Sequence, residues 1–334
     1  MVNDILSDFK IKIDISCKPT KSDLCNLTSY LSSEFREIFL KFCPDFVFVQ
    51  GDTSTAFVAA LCAFYLKIPV GHIEAGLRTY DIQLPFPEES HRRCIAAVSS
   101  LHFAPSLLAK KQLIQEGICP SKIYMSGNTI VDAIHEALAI LNKTPSIVQK
   151  LIHVMQSHGL NDISQSKYFL ITCHRREHWQ EPLKNVVSTI IKLANKYPNY
   201  FFIWPVHSNP IVKDVVCKAL KPLNNCIVLQ SLSYLNFVYL MKHSSCIVTD
   251  SGGIQEEAPT ILKPVFLLRN KTERPECLGH DLVKLIGTSP SELFQTLESH
   301  IKNPVDIKPF KNPFGNGKAA SFIIHKLNSY FKLS

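Results

Sequence analysis

Along the chain, short apolar runs rich in β-branched and aromatic residues alternate with longer stretches of helical periodicity. The runs at 46–50, 70–74, 101–104, 123–126, 168–173, 201–206, 226–229, 246–249 and 264–268 read as strands. Several are apolar on both parities of the period-two pattern, as parallel strands buried on both faces must be. Helices are predicted between them, among them 54–66, 107–116, 182–196 and 234–242. This rhythm predicts an α/β fold with doubly wound parallel sheets. A polar interval at 142–166 divides the pattern, which predicts two Rossmann-like domains over 1–143 and 144–317. The turn cluster Asn312-Pro313-Phe314-Gly315-Asn316-Gly317 leads into a last helix within 318–334, expected to pack back on the first domain.

Composition narrows the function classes. With 334 residues, 46% hydrophobic and 19% charged, the chain has enough apolar surface for two cores. Its formal charge of +8 is scattered in doublets such as Lys110–Lys111, Arg92–Arg93 and Arg175–Arg176. A nucleic-acid binder concentrates such charge in a stripe, so the excess better suits an anionic small ligand. The 11 cysteines are odd in number, form no C-x-x-C pair and sit mostly in apolar runs, as Cys62, Cys226 and Cys246 do. That usage argues against a disulfide framework or structural zinc and for the reducing cytoplasm. The first residues lack a basic segment followed by an apolar one, and the apolar run 57–66 falls well short of the roughly 20 residues that cross a bilayer. Neither membrane nor nucleic acid is expected as a partner.

Ligands of open α/β sheets bind beyond the carboxyl ends of the strands, so chemistry is sought there. After the strand at 246–249 comes Asp250-Ser251-Gly252-Gly253-Ile254-Gln255-Glu256-Glu257. Two glycines at a helix start let backbone N–H groups approach an anion, and Glu257 can accept hydrogen bonds from a ribose diol. A plain strand–helix turn with a solvated Glu257 fits this segment equally well. Asp250-Ser251-Gly252 also matches the aspartic-protease D-[ST]-G, which a parallel α/β context contradicts. Gly51-Asp52-Thr53 opens the helix after the first strand, where Asp52 or Thr53 serves as the N-cap. Glu74 follows the next strand and Glu88 follows two prolines that flank Phe86. Asp52, Glu74 and Glu88 thus place three carboxylates on one edge of one domain, either crowded for proton transfer or solvated independently.

The strand at 168–173 runs into His174-Arg175-Arg176-Glu177-His178. The string fits the H-x-x-E-H zinc motif, but that spacing works only on a helix, and here it occupies a loop. A loop with a histidine and two arginines suits a diphosphate better. His207, at the end of the strand at 201–206, is either a ligand or a satisfied turn residue.

Together these segments resemble the non-hydrolysing UDP-N-acetylglucosamine 2-epimerases. The similarity rests on Gly51-Asp52-Thr53, Gly71 through Arg78, Pro87-Glu88-Glu89, Ser126-Gly127-Asn128-Thr129, His174 through Glu177, Pro205-Val206-His207, Asp250 through Pro259, Thr272 through Glu276 and Asn312 through Gly315. The resemblance implies a glycosyltransferase-B-type architecture with UDP in the cleft between two Rossmann-like domains. It implies that Ser251, Gly252, Gly253 and Glu257 hold the nucleotide, with Arg176, His207 and Arg274 also on the substrate. Asp52, Glu74, Glu88 and His174 would be the catalytic groups. The substrate would be a UDP-N-acetylhexosamine, eliminated to a 2-acetamidoglucal and re-formed with C2 inverted. Neither metal nor redox cofactor is required. A cytoplasmic homodimer serving polysaccharide biosynthesis is the accompanying expectation.

Two departures from the family pattern stand out. The usual opening strand, its Gly-Thr-Arg-Pro-Glu loop, a helix lysine and a Gln-His motif have no counterpart, so the N-terminal domain is expected to be incomplete. In a doubly wound sheet that strand is central. Its loss is expected to expose apolar surface around 46–49, favour self-association and slow turnover. The other departure is His91, where a Glu-Glu-x-Asn-Arg pattern would have asparagine. The alternatives are a hydrolysing epimerase, a UDP-sugar glycosyltransferase of the same architecture, and a catalytically impaired UDP-sugar-binding chain. The three carboxylates favour the epimerase, and the absent loop favours the impaired chain.

Overall fold

The computed structural model describes residues 2–19, 23–173, 175, 179–206, 209–278, 282–305, 307 and 311–333. The chain begins with α1 (Val2–Asp8), α2 (Leu24–Phe42), β1 (Val47–Gln50), α3 (Ser54–Tyr65), β2 (Val70–Ile73) and α4 (Glu88–Val98). It continues through β3 (Leu101–Ala104), α5 (Leu107–Gln115), β4 (Ile123–Met125), α6 (Thr129–Lys143), α7 (Gln149–Ser157), β5 (Tyr168–Thr172) and α8 (Glu181–Lys196). Next come β6 (Phe201–Pro205), α9 (Pro210–Leu220), β7 (Cys226–Leu229), α10 (Tyr234–His243), β8 (Cys246–Thr249) and α11 (Ile254–Thr260). The last elements are β9 (Val265–Leu267), β10 (Val283–Leu285), α12 (Pro290–Lys302) and α13 (Ala319–Leu333).

Two compact units result, one of Lys12–Asp132 with Pro313–Ser334 and the other of Met1–Ile11 with Ala133–Asn312. The division falls inside α6, ahead of the polar interval at 142–166. That interval buries Val148, Leu151, Met155, Leu160 and Ile163, so its apolar positions belong to the core that follows.

The first unit carries a four-stranded parallel sheet in the order β1-β2-β3-β4. Consecutive pairing leaves no interior gap, and among the described residues β1 pairs with β2 alone. Residues 46–49 are nonetheless covered, with none of them exposed. Phe46 packs edge-on against Tyr330 and Phe331 of α13, at 5.6 and 6.1 Å between ring centroids. Ile323 of the same helix enters the cluster of Leu101 and Phe103 on β3. On the other side α2 and α3 close a second cluster around Leu31, Val49, Val58, Ala60 and Val70. Hydrophobic stripes on helices and two-sided apolar strands make this layering unavoidable.

The six-stranded unit has the order β10-β9-β8-β5-β6-β7, all parallel. The strand order therefore reverses between β5 and β8, the switch point where such sheets bind ligands. Its core includes Phe169, Ile171, Trp204, Val248 and Phe266 from the strands, with Val186, Ile190 and Leu297 from helices. All 11 cysteines are free. Among the described residues no helix is long and apolar enough to cross a membrane.

Candidate functional site

In the four-stranded unit, the turn after β1 decides what Asp52 does. The hydroxyl oxygen of Thr53 accepts from the N–H of Ala56 at 3.1 Å and is the N-cap of α3. Asp52 is thereby released from capping, and its Oδ2 accepts from Nη1 of Arg92 at 2.6 Å. Gly51 has φ +71, and a Cβ on it would lie 3.3 Å from Oε2 of Glu74. The carboxylate of Glu74 therefore lies against the turn that carries Asp52.

Glu74 itself adopts φ +66, a left-handed conformation that costs a non-glycine residue about 1–2 kcal/mol. Its neighbours fix it there. Ala75 is fully buried and donates its N–H to the carbonyl of Phe103 at 3.0 Å. Gly76, at φ +94, has no room for a side chain, since a Cβ would meet the carbonyl oxygen of Ala109 at 2.4 Å. Asn128 donates through Nδ2 to Oε1 of Glu74 at 3.3 Å. The backbone N–H of Asn128 is tied to the carbonyl of Phe314 at 2.7 Å, and Phe314 is fully buried. The Ser126-Gly127-Asn128 and Pro313-Phe314-Gly315 segments, distant in sequence, thus act together to orient one carboxylate.

Glu88 begins α4. Its Oε2 is buried and finds no hydrogen-bond partner among the described residues. The adjacent Glu89 does a different job. Its carboxylate is fully buried and accepts from the N–H groups of Thr79 (3.0 Å) and Tyr80 (3.1 Å). It also accepts from Nε and Nη2 of Arg92 at 3.0 and 2.8 Å. Arg92 bridges Glu89 to Asp52 and sets the position of both. Sequence reasoning gives no role to Glu89, Arg92 or Asn128, although Glu89 and Asn128 stand in the matching strings; for Glu89 and Arg92 the available signal is an i,i+3 pair on a helix that opens with two acids.

In the six-stranded unit the switch point holds Asp250, whose carboxylate is buried and accepts from the N–H of Arg175 at 2.9 Å. Thr249 Oγ1 accepts from the N–H of Ser251 at 3.0 Å, so the chain turns sharply into Gly252-Gly253. A Cβ on Gly252 would lie 2.8 Å from Nη1 of Arg274 and 3.1 Å from Oε1 of Glu273. Arg274 lies directly under this turn, nearly buried, bonded through Nε to Glu256 and through Nη1 to Glu273 at 2.6 Å. Burial alone would raise the Glu273 carboxyl, but Arg274, Arg269 and Arg175 outweigh it and hold it at about 2.

Glu257 is enclosed, and burial lifts its carboxyl to about 7, against the hydrogen bond from Tyr234 that favours the charged form. The Tyr234 hydroxyl donates to Oε1 at 2.6 Å. Tyr234 in turn stacks obliquely on Phe9 at 5.8 Å, while Asp8 accepts from the N–H of Leu235 at 3.3 Å. The end of the first helix and the residue after it thereby pack against Tyr234, the partner of Glu257. His174, Arg176 and His207 lie outside the described residues, as do Glu177 and His178. Among the described residues no cluster of three or more metal-binding side chains occurs.

Comparison with known proteins points to one family. The family model described as UDP-N-acetylglucosamine 2-epimerase matches residues 1–328. The UDP-N-acetylglucosamine 2-epimerase of Neisseria meningitidis serogroup A is 41% identical over 333 residues, covering 98% of this chain and 88% of the relative. The crystal structure of the N. meningitidis enzyme bound to UDP-GlcNAc superposes with a TM-score of 0.91 at 40% identity, covering 98% and 88% of the two chains. That of Methanocaldococcus jannaschii UDP-GlcNAc 2-epimerase, in complex with UDP-GlcNAc and UDP, gives 0.83 at 34% identity, with the same shares covered.

Proposed function

Because the chain belongs to the UDP-N-acetylglucosamine 2-epimerase family, we infer that it interconverts UDP-N-acetylglucosamine and UDP-N-acetylmannosamine by inverting C2. The C2 proton of the intact glycoside is not acidic, so the C1–O bond must break first. Its electron pair leaves with UDP and positive charge develops at C1. A carboxylate then takes the C2 proton, giving a 2-acetamidoglucal. UDP re-adds to C1 while a proton is delivered to the opposite face of C2. Such a sequence needs a base, an acid and negative charge beside C1.

One observation carries the reading: Asp52 and Glu74 follow adjacent strands and lie against one turn, and that turn is gripped through His91 and Arg92 by the helix that opens on Glu88. Asp52 is held by Arg92, Glu74 is held by Asn128, and Glu88 keeps one buried oxygen unengaged among the described residues. We assign these three to proton transfer and charge stabilisation. In the six-stranded unit we assign Ser251, Gly252, Gly253 and Glu257 to the nucleotide, with Arg274 bracing the glycine turn from below. The roles of His174, Arg176 and His207 rest on the sequence resemblance. Family membership is likewise the support for a cytoplasmic homodimer that supplies polysaccharide assembly, and the 11 free cysteines suit a reducing compartment.

The test is turnover of UDP-N-acetylglucosamine in deuterated water. Product formed by elimination and re-addition carries deuterium at C2, whereas product retaining the original hydrogen would exclude the scheme. In the same assay Glu74→Gln should cut turnover by at least ~100-fold, the usual scale for an acid–base group, with UDP affinity preserved.

A further inference from the structure

The turn that presents Asp52 is held at two successive backbone carbonyls by two imidazoles. Nε2 of His72, fully buried on β2, donates to the carbonyl of Gly51 at 2.9 Å. Nδ1 of His91, on α4, donates to the carbonyl of Asp52 at 2.9 Å. The His91 ring is nearly buried and lies face to face on Phe57 of α3, with centroids 5.0 Å apart and planes at 14°. Arg92, the next residue, holds the Asp52 side chain. Two neighbours on one helix turn therefore grip Asp52 by main chain and by carboxylate.

His91 is also the residue that departs from the Glu-Glu-x-Asn-Arg pattern. The two residue types share one capability. In both, a nitrogen donor is attached to Cγ, so Nδ1–H of histidine and Nδ2–H of asparagine can reach the same acceptor from the same Cα. The carbonyl has no hydrogen to give, so the imidazole must carry its proton on Nδ1 here. Stacking on Phe57 fixes the ring plane that aims this N–H. We propose that His91 is a positioning residue for the reaction: it fixes the Asp52 backbone so that the carboxylate keeps its place beside Glu74. The proposal rests on the reading of Asp52 as a group that acts on the sugar.

The consequence is specific because placement governs rate more than binding, and a displacement of about 1 Å can cost about 100-fold. His91→Phe keeps a ring on Phe57 and removes the donor. It should lower kcat at least about tenfold with KM and UDP affinity within about twofold. His91→Asn restores a donor on Cγ and should recover turnover to within about threefold, whereas His91→Gln, its amide one carbon farther out, should not. In an Asp52→Asn background, His91→Phe should cost little more, since the two act through one group. The thermal transition of each variant shows that it is folded, and His91→Asn tests the proposal even where His91→Phe folds poorly. Full turnover in His91→Phe, or an equal loss in the Asp52→Asn background, would overturn the role of His91 alone. Full turnover in Asp52→Asn would overturn the role of Asp52 and the proposal with it.

Discussion

Glu257 sits where a nucleotide-binding carboxylate is most useful and least comfortable. Its folded pKa of about 7 stands above the ordinary 4.5, because burial penalises the charge more than Tyr234 repays it. The folded chain therefore holds a proton that the unfolded chain has released. Stability from this group is fully present below about pH 4.5 and falls as pH rises through 7. The loss amounts to roughly 3 kcal/mol at pH 8. Glu257→Gln should thus be more stable than the parent at pH 8 and equal to it at pH 4.5 in urea titrations. By calorimetry at pH 8, where the parent carboxyl is ionised, it should bind UDP about 1–3 kcal/mol more weakly, through loss of a charged acceptor. Equal stability of the two proteins at pH 8 would contradict the burial argument. At this scale sequence gives residue types but not assignments. Asp52 and Thr53 were both cap candidates until the hydroxyl of Thr53 took the N–H of Ala56. Glu88 and Glu89 differ only by the 100° step of a helix, which turns one into the salt-bridged interior and leaves an oxygen of the other unengaged among the described residues.

The helix α4 is the element on which the carboxylate site depends. Its first turn carries Glu88 and Glu89, and its second carries His91 and Arg92, whose guanidinium joins Glu89 to Asp52. Removing Arg92 leaves the fully buried Glu89 carboxylate with two backbone N–H groups and only the half-exposed Arg93, whose Nε lies 3.5 Å from Oε1, so Arg92→Met should destabilise the protein by about 3 kcal/mol. Those N–H groups and the longer Arg93 contact do not replace the two bonds that Arg92 donates. Glu89→Gln together with Arg92→Met removes both charges and should recover at least half of that loss in urea unfolding. Turnover should stay low in both, because Asp52 has lost its partner. A double variant no more stable than Arg92→Met would mean that the ion pair is not what α4 depends on. Elements of this kind were legible in the sequence where they were long or buried on both faces. The nine expected strands all form, most within a residue of their expected ends. β10 was not anticipated: Val283–Leu285 is three residues with Lys284 exposed at its middle, an edge strand too short to show a period. The two compact units part inside the continuous helix α6, a place that composition does not single out because it marks boundaries only where polar residues accumulate.

At the scale of the whole molecule, two separate cores respond to acid to different degrees. The four-stranded unit buries His72 and His102 side by side on β2 and β3, in register. Burial lowers His72 to about 3, with further effects from His102, Arg78 and Arg92. Burial, then Lys122 and Arg78, lowers His102 to about 4. Both stay neutral in the fold, while the unfolded chain takes up protons near 6.5. Their contribution is fully present above pH 6.5 and is lost as pH falls toward 4 and 3, at roughly 2 kcal/mol each by pH 5. The six-stranded unit buries His300 and half-buries His243, both shifted the same way by burial, but protonated Glu257 offsets part of that loss. Both tryptophans, Trp179 and Trp204, belong to the six-stranded unit, so their fluorescence reports that unit alone, whereas far-ultraviolet circular dichroism reports both. Lowering the pH from 7 to 5 should therefore bring forward a dichroism transition that tryptophan fluorescence follows to a smaller extent. UDP at about 100 times its Kd should raise the fluorescence transition by about 2.7 kcal/mol. His102→Phe removes one of the two acid-sensitive groups and should roughly halve the pH slope of the dichroism transition, whatever its effect on stability at pH 7. Coincident transitions at every pH, both raised equally by UDP, would instead make the protein one cooperative unit.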